Sequence, residues 1–486
     1  MIHGKKVGTG GLYLALFVAL LFFFTQVQPI TIANGDDWYY IATTRSALPM
    51  LTEWNPARVL PELLMPWVSS LGVQWFYPIL GDYVKAMTLS HGLAVSGAIL
   101  VFLVVMVNVF QKKMGASPAA ATGAMLFVLL LHFALFKVGA SGNAYLFWAA
   151  DATCYFYYTI PTMLCFAWIG WMELHPAWCQ VLEKEHLWEK GLMIASGYLL
   201  ICSNLFCSYL LALWAGFRVL NLLFRHWGKW MELTRQAVLY VFVIVAWLVS
   251  LFFEANGDRS KSLAGGSLLQ CFPESFSSFW KFRYNTTLVG ICVLIALAGC
   301  ALLWKRRKEK AARTGLGLCL AMATAAGLSW CYLILLCAVT IPGYSSRPDV
   351  MLGFFVWCLL VVGALLSYLL TQIAWTRLAL PVVLLAGACT LAGRDTFAAS
   401  LTPGLNQPGA YHISTYLVEQ LQQANREGKT QVELELPAGG EEWPFGYYMA
   451  QRVADSLYQH GLLDYRMEIT VVRNPELDQR YHLFEW

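Results

Sequence analysis

The sequence predicts an all-α polytopic membrane protein of about eleven transmembrane helices, followed by a small α/β segment. Of the 486 residues, 58% are hydrophobic and only 13% are charged, whereas soluble domains carry roughly 25% charged residues. The mean hydropathy is +0.55. Aromatic residues reach 15% and include 20 Trp, which is typical of chains with many membrane interfaces. The net charge of +4 is too small to indicate a nucleic-acid partner.

Eleven apolar segments approach the ~20 residues needed to cross a bilayer. They are residues 11–31, 86–110, 118–138, 153–173, 190–205, 207–224, 236–254, 286–304, 315–341, 350–372 and 376–393. Cys202-Ser203-Asn204 interrupts the run at 190–224, where either a tight turn between two spans or a re-entrant break would lie.

Basic residues fall at alternate ends of these spans, so that one orientation puts every basic cluster in the cytoplasm, as the positive-inside rule predicts. The clusters are Lys5/Lys6, Lys112/Lys113, Lys184/Lys190, Arg225/Lys229/Arg235, the run from Lys305 to Arg313, and Arg377. We therefore expect residues 1–393 to form the transmembrane domain, with the N-terminus inside and a large outer loop at 33–85. Residues 394–486 are expected outside.

The first outer loop begins with two adjacent carboxylates, Asp36 and Asp37, followed by Trp38 and Tyr39. A carboxylate pair beside a low-dielectric bilayer is poorly solvated, which shifts pKa values and suits acid–base or metal chemistry. Both aspartates are therefore candidate catalytic residues and candidate ligands of a divalent cation such as Mg²⁺ or Mn²⁺. The alternative is that they end a helix and face water, while the aromatic residues belong to the interfacial belt.

Further along this loop, the sequence predicts an amphipathic helix that starts near Pro61, since proline is favoured in a first helical turn. Arg58 and Glu62 lie four positions apart and would form a pair if both are helical. They are candidate substrate-binding residues, or otherwise an exposed salt bridge on a surface helix.

Two other outer loops carry basic groups beside a helix end. Arg259 and Lys261 lie in the loop from Glu254 to Ser262, and Arg347 lies in the turn from Pro342 to Pro348. Such groups suit a phosphate held at the membrane surface, and solvated loop charge is the alternative.

The segment after residue 394 is polar and has a helix–strand–helix–strand pattern. The predicted elements run from Ile413 to Asn425, Gln431 to Leu436, Phe445 to Gln459, and Met467 to Val472. We find no nucleotide-binding loop or catalytic motif in it.

The acidic motif Asn34-Gly35-Asp36-Asp37-Trp38-Tyr39-Tyr40, the long first outer loop and the many spans resemble the GT-C superfamily of polytopic glycosyltransferases. The likeness is strongest to bacterial members, including those related to O-antigen glucosyl-transfer enzymes, and it covers roughly residues 1–400. It implies a glycosyltransferase of the bacterial cytoplasmic membrane that uses a polyprenyl-phosphate sugar donor. It also implies a cell-envelope glycan or lipid as acceptor, and transfer on the outer face.

The chemistry is compatible with these residues. Asp36 or Asp37 would deprotonate an acceptor hydroxyl, and Arg259 and Arg347 or a cation would stabilise the departing phosphate. Trp38 and Tyr39 would contribute to substrate binding, and membrane lipid would surround the donor's tail. The alternative function is a transporter or flippase of a lipid-linked or small solute, which predicts charged residues within spans and internal repeats.

Overall fold

The computed structural model describes residues 2–44, 55–136, 147, 151–180, 187–257, 267–373, 381, 407–441 and 444–483. The first part of the chain is helical. Its helices are α1 Ile2–Phe22, α2 Gly35–Tyr40, α3 Val59–Leu71, α4 Tyr77–Leu80, α5 Tyr83–Met114, α6 Pro118–Ala134, α7 Ala152–Cys154, α8 Ile160–Leu174, α9 Leu187–Ile201, α10 Leu205–Arg225, α11 Trp230–Asn256, α12 Leu268–Phe279, α13 Thr286–Lys305, α14 Lys310–Val339 and α15 Leu352–Gln372.

Short irregular helices extend or connect several of these elements. π-helical turns over Phe23–Val27, Gly72–Phe76 and Tyr155–Thr159 continue α1, α3 and α7, and 3₁₀ turns cover Pro176–Cys179 and Pro342–Ser346.

Within the described residues, seven helices are long and apolar enough to cross a membrane, so this is a multi-pass membrane protein. Their bounds are Gly10–Val27, Tyr83–Met114, Leu205–Arg225, Trp230–Asn256, Thr286–Lys305, Lys310–Val339 and Leu352–Gln372. The shorter helices α6, α8 and α9 occupy three more of the predicted positions. The eleventh predicted span, 376–393, lies outside the described residues apart from Pro381. Cys202 and Ser203 form a turn between α9 and α10, so the run at 190–224 is two helices.

Helix α5 is the centre of the membrane part and packs against α1, α3, α6 and α8. Most of its side chains are buried, including Phe102 and Phe110. Helices α10 and α11 form a neighbouring pair, and α14 and α15 form another that reaches α6. One end of each of α8, α10 and α14 lies next to the loops described below.

The polar segment folds as predicted from its pattern. Helix α16 (Gln407–Arg426), strand β1 (Gln431–Pro437), helix α17 (Met449–Gln459) and strand β2 (Glu468–Asn474) follow in that order, and a last helix α18 (Pro475–Arg480) was not predicted. The two strands pair in parallel, with Gln431 opposite Glu468 and Pro437 opposite Asn474. We call residues 407–483 the C-terminal unit.

The C-terminal unit packs directly on the first loop, because α17 contacts α2 and α16 contacts α5. The two regions therefore lie on the same side of the membrane. The predicted amphipathic helix of the first loop is α3, which begins at Val59 and has Pro61 in its first turn.

Candidate functional site

The short helix α2 carries the acidic motif, and Asn34 defines where this helix begins. The side-chain Oδ1 of Asn34 accepts hydrogen bonds from the backbone N–H groups of Asp36 and Asp37, both at 2.9 Å. An asparagine N-cap of this kind, followed by acidic residues in the first turn, is a favourable helix start. The local sequence thus accounts for the turn that presents both aspartates.

Asp37 is fully buried and accepts four hydrogen bonds. Thr153 donates to Oδ1 from its backbone N at 2.8 Å and its hydroxyl at 2.6 Å. The backbone N of Ala33 (3.3 Å) and Nδ2 of Asn34 (3.0 Å) donate to Oδ2. Asp37 therefore joins the first loop to the segment that precedes α8.

Asp151 is the second buried carboxyl group of the site. Nδ2 of Asn34, which already donates to Asp37, also donates to Oδ1 of Asp151 at 2.9 Å, and the Cys154 thiol lies 3.7 Å from its other oxygen. The amide of Asn34 thus stands between two carboxyl groups that are far apart in sequence.

Burial raises the pKa of both carboxyl groups. For Asp37 the neighbouring Asp151 raises the pKa further, while the hydrogen bonds from Thr153 and Ala33 lower it. For Asp151, the positive charge of Arg347 and the hydrogen bond from Asn34 oppose the effect of burial. Perturbed carboxyl groups beside a cavity are typical of functional sites.

Asp36 and Asp151 line a polar cavity of about 510 Å³. Its wall consists of Asn34, Asp36, Tyr40, Asp151, Thr153, Cys154, Tyr157, Tyr158, Tyr344 and Arg347. Asp36 and Asp151 face this cavity directly, whereas Asp37 lies beneath Asn34 and Thr153 in the wall. We call it the aspartate cavity.

Arg347 lies in the wall of the aspartate cavity and is held by Asp349, which is 1% exposed. Its Nε and Nη2 donate to the two carboxylate oxygens of Asp349 at 3.2 and 2.6 Å. The guanidinium also stacks on the rings of Tyr344 and Tyr158, at 4.7 and 5.8 Å from their centroids. Arg347 is therefore fixed in one orientation. Burial lowers the pKa of its guanidinium, but the negative charge of Asp349 outweighs burial and holds the pKa well above the usual value.

A second polar cavity of about 500 Å³ shares Tyr40 with the first, and we call it the Arg58 cavity. Its wall consists of Tyr39, Tyr40, Thr43, Thr44, Asn55, Arg58, Glu62, Phe253, Glu254 and Gly257. Arg58 lies 3.8 Å from Glu62 and 3.4 Å from Glu254, so the predicted pair with Glu62 is present. Its backbone is left-handed, with φ of 58°, a strained conformation that clusters at functional sites.

A third cavity, of about 240 Å³, joins these polar groups to apolar helix ends. Arg58, Tyr157, Tyr158 and Tyr344 line one part of it. Leu205, Phe206, Leu251, Leu336 and Val339 of α10, α11 and α14 line the other. It shares Tyr157, Tyr158 and Tyr344 with the aspartate cavity, so the two cavities are neighbours, and we call this one the apolar cavity.

The remaining predicted site residues lie in different surroundings. Trp38 is fully buried, stacks on Tyr83 with ring centroids 6.1 Å apart, and is not among the residues that line the three cavities. Tyr39 lines the Arg58 cavity. Arg259 and Lys261 lie outside the described residues. Asp36 is half-exposed and pairs with Arg452 of the C-terminal unit, with Nη1 and Oδ1 3.0 Å apart.

Sequence reasoning missed Asp151 and Arg452 as site residues. Asp151 stands beside several tyrosines, a pattern that favours a sugar-binding or interfacial surface over a carboxylate site. Its contact with Asn34 spans 117 positions, and that of Arg452 with Asp36 spans 416. Neither contact follows from local spacing.

Among the described residues, no group of three or more His, Cys, Asp and Glu side chains is placed to hold a metal ion. Asp36 and Asp151 share one cavity, and two carboxylates together with substrate phosphate oxygens are a usual Mg²⁺ ligand set.

No protein-family model, curated protein or solved structure matches this chain.

Proposed function

We propose that this protein is a membrane glycosyltransferase that acts on the extracytoplasmic face of the bacterial cytoplasmic membrane. It transfers a sugar from a polyprenyl-phosphate donor to a glycan or lipid acceptor of the cell envelope. The observation that carries the proposal is the aspartate cavity, which has two carboxyl groups in its wall and adjoins a cavity lined partly by apolar residues of helix ends. A donor with a charged head and an isoprenoid tail requires this combination.

Asp151 is the best placed base in this cavity. A general base must be within hydrogen-bond reach of the hydroxyl that it deprotonates, and its pKa should lie near the working pH. Asp151 lines the cavity, and burial raises its pKa. Asp37 also has a raised pKa but lies beneath the wall with four donors, and Asp36 is paired with Arg452.

The proposed step is a displacement at the anomeric carbon. Asp151 accepts the proton of the acceptor hydroxyl, the acceptor oxygen bonds to the anomeric carbon, and the bond from that carbon to the phosphate oxygen breaks. The polyprenyl phosphate leaves with the bonding electron pair and gains negative charge. Arg347, fixed by Asp349 at the wall, stabilises that charge.

Asp37 and Asn34 contribute by positioning Asp151. Asp37 fixes Asn34 and Thr153 by hydrogen bonds, and Asn34 in turn orients Asp151. Arg259 and Lys261, which follow Gly257 of the Arg58 cavity wall in sequence, remain candidate phosphate-binding residues.

The experiment uses purified full-length protein in nanodiscs with a polyprenyl-phosphate glucose carrying a radiolabelled sugar, and an envelope lipid or glycan fraction as acceptor. Label should pass to the acceptor with wild type and fall by about 10² or more with Asp151→Asn, which removes the base but keeps the size. Asp464→Asn, a surface carboxylate of the C-terminal unit that pairs with Asn425, is the matched control. Equal transfer by wild type and Asp151→Asn would contradict the assignment of the base.

A cellular comparison tests the class of protein. Deleting the gene that encodes this protein should remove a sugar substituent from the cell-surface polysaccharide or lipid. Unchanged surface glycans together with loss of solute uptake would support the transporter alternative instead.

A further inference from the structure

The C-terminal unit holds the acidic motif through one arginine. Nη1 of Arg452 donates to Oδ1 of Asp36 at 3.0 Å and to the backbone oxygen of Gly35 at 2.9 Å. The same guanidinium lies between two aromatic rings, 4.8 Å from the centroid of Tyr39 and 4.3 Å from that of Tyr448. The guanidinium of Arg452 thus forms an ion pair, a backbone hydrogen bond and a ring contact with α2.

Other polar contacts fix the same surface. Ser414 donates to the backbone oxygen of Ile32 at 2.6 Å, and Ser456 donates to that of Trp38. Tyr411 donates to Asp82 at 2.5 Å, and His460 lies 2.7 Å from the hydroxyl of Tyr83. Since these residues belong to α16 and α17 and the segment that follows, the whole unit is seated on the first loop.

The fit at Gly35 is close. A side-chain carbon at this position would lie 2.4 Å from the ring of Tyr448, nearer than two such carbons can approach. A side chain at position 35 would therefore have to displace the Tyr448 ring that packs against Arg452.

The environments of the two adjacent aspartates now differ in kind. Asp37 is turned inward and forms hydrogen bonds with Asn34 and Thr153. Asp36 is turned toward the C-terminal unit, and one of its oxygens is paired with the guanidinium of Arg452.

We propose that Asp36 and Arg452 form a docking pair that seats the C-terminal unit on α2 and thereby positions Asn34 and Asp37 behind the base. Arg452 is a positioning residue, and Asp36 serves docking rather than proton transfer. The docking part stands on contacts alone, and its effect on transfer rests on the proposed function.

The test is a charge reversal in full-length protein. Asp36→Arg and Arg452→Asp are made singly and together, so that the double variant restores a pair of opposite sense. Docking is measured by hydrogen exchange of the α2 backbone amides, which reports local opening. Transfer is measured with the donor described above. Arg466→Ala removes an arginine that stacks on Tyr458 within the same unit, 5.4 Å from the ring centroid, and is the matched control.

Each single reversal should speed exchange of α2 by about tenfold or more and lower transfer by a similar factor, while the double variant recovers both to within about threefold. Arg452→Lys keeps the charge without the planar stack and should lie between wild type and the reversals. If the double variant regains slow exchange but not transfer, the Asp36 carboxylate acts on substrate and the proposal is wrong.

If the α2 amides of both single variants exchange at the wild-type rate, the proposal is also wrong, because the pair would then not hold the C-terminal unit on α2. If a reversal prevents insertion, Tyr448→Ala gives the same readout without a buried charge, and slow exchange in that variant counts against docking through this surface. Hydrogen exchange is measured without substrate, so the docking part of the proposal can be tested even if the wild-type protein transfers no sugar. Absence of transfer by the wild-type protein would refute only the proposed function.

Discussion

Replacing Asp37 by asparagine should destabilise the protein far more than the same change at its neighbour Asp36. Each oxygen of Asp37 accepts two hydrogen bonds. An asparagine must turn its NH₂ group toward one of these pairs of donors. Two hydrogen bonds to a charged acceptor are then lost, each worth about 1.5–3 kcal/mol. Removal of a buried negative charge beside Asp151 offsets part of this loss.

We therefore expect a net destabilisation of about 3 kcal/mol for Asp37→Asn. Asp36→Asn should cost about 1 kcal/mol or less, because Asp36 is half-exposed and its ion pair is screened by water. The assay is thermal unfolding of both variants in nanodiscs at neutral pH, where Asp37→Asn should unfold at a clearly lower temperature than Asp36→Asn.

A result with both variants equally stable would refute this reasoning. It would mean that Asp37 carries a proton in the wild-type protein and already resembles an amide. One oxygen of Asp37 would then bear the proton although it accepts two hydrogen bonds. In that case Asp37 would not hold Asn34 and Thr153 as an ionised carboxylate.

Four further outcomes are expected. Because burial raises the pKa of Asp151 and the base must be ionised, the transfer rate should increase with pH, with a midpoint above the ordinary aspartate range near ~3.9. Arg347→Gln removes a charge that lowers this pKa, so the midpoint of the pH–rate profile should move to higher pH; an unmoved midpoint would separate Arg347 from the base. Arg347→Lys should weaken transfer despite the retained charge, because lysine cannot reproduce the two-pronged contact with Asp349, and Arg347→Ala should weaken it more. Chelation with EDTA should reduce transfer, and added Mg²⁺ or Mn²⁺ should restore it, if a divalent cation binds the donor phosphate in the aspartate cavity; full activity after chelation would show that transfer needs no such cation.

The topology remains a prediction with its own measurement. Cysteine labelling from outside should reach residues 32–85 and 394–486 but not 305–313, as the alternating basic clusters indicate. The contact between α17 and α2 requires the first two regions to label alike, and labelling of only one of them would contradict the fold.

The sequence was sufficient for the features that depend on local pattern. Apolar runs located the helices, the Cys202-Ser203-Asn204 interruption marked the turn between α9 and α10, and period and polarity gave the strands of the C-terminal unit. The capping role of Asn34 was not predicted, although an asparagine followed by two acidic residues is a typical helix start.

The arrangement of the site could not be read in the same way. Adjacent residues of a short helix point in different directions, so the pair Asp36-Asp37 divides into one inward and one outward carboxylate only when the surrounding segments are in place. Asp151 and Arg452 reach the motif through tertiary contacts, and a single sequence carries no signal of such pairings. Trp38 packs inside for the same reason, although its position beside the motif favoured a surface role.

The seating of the C-terminal unit on α2 has a consequence for biogenesis. The first loop leaves the membrane insertion machinery early, whereas residues 407–483 are synthesised only after α15. Until then the α2 surface that contacts Tyr448, Arg452 and Ser456 is uncovered. A chain that stops before α16 would expose the Gly35 and Asp36 side of α2, and we expect quality-control proteases to recognise such a chain by that uncovered surface.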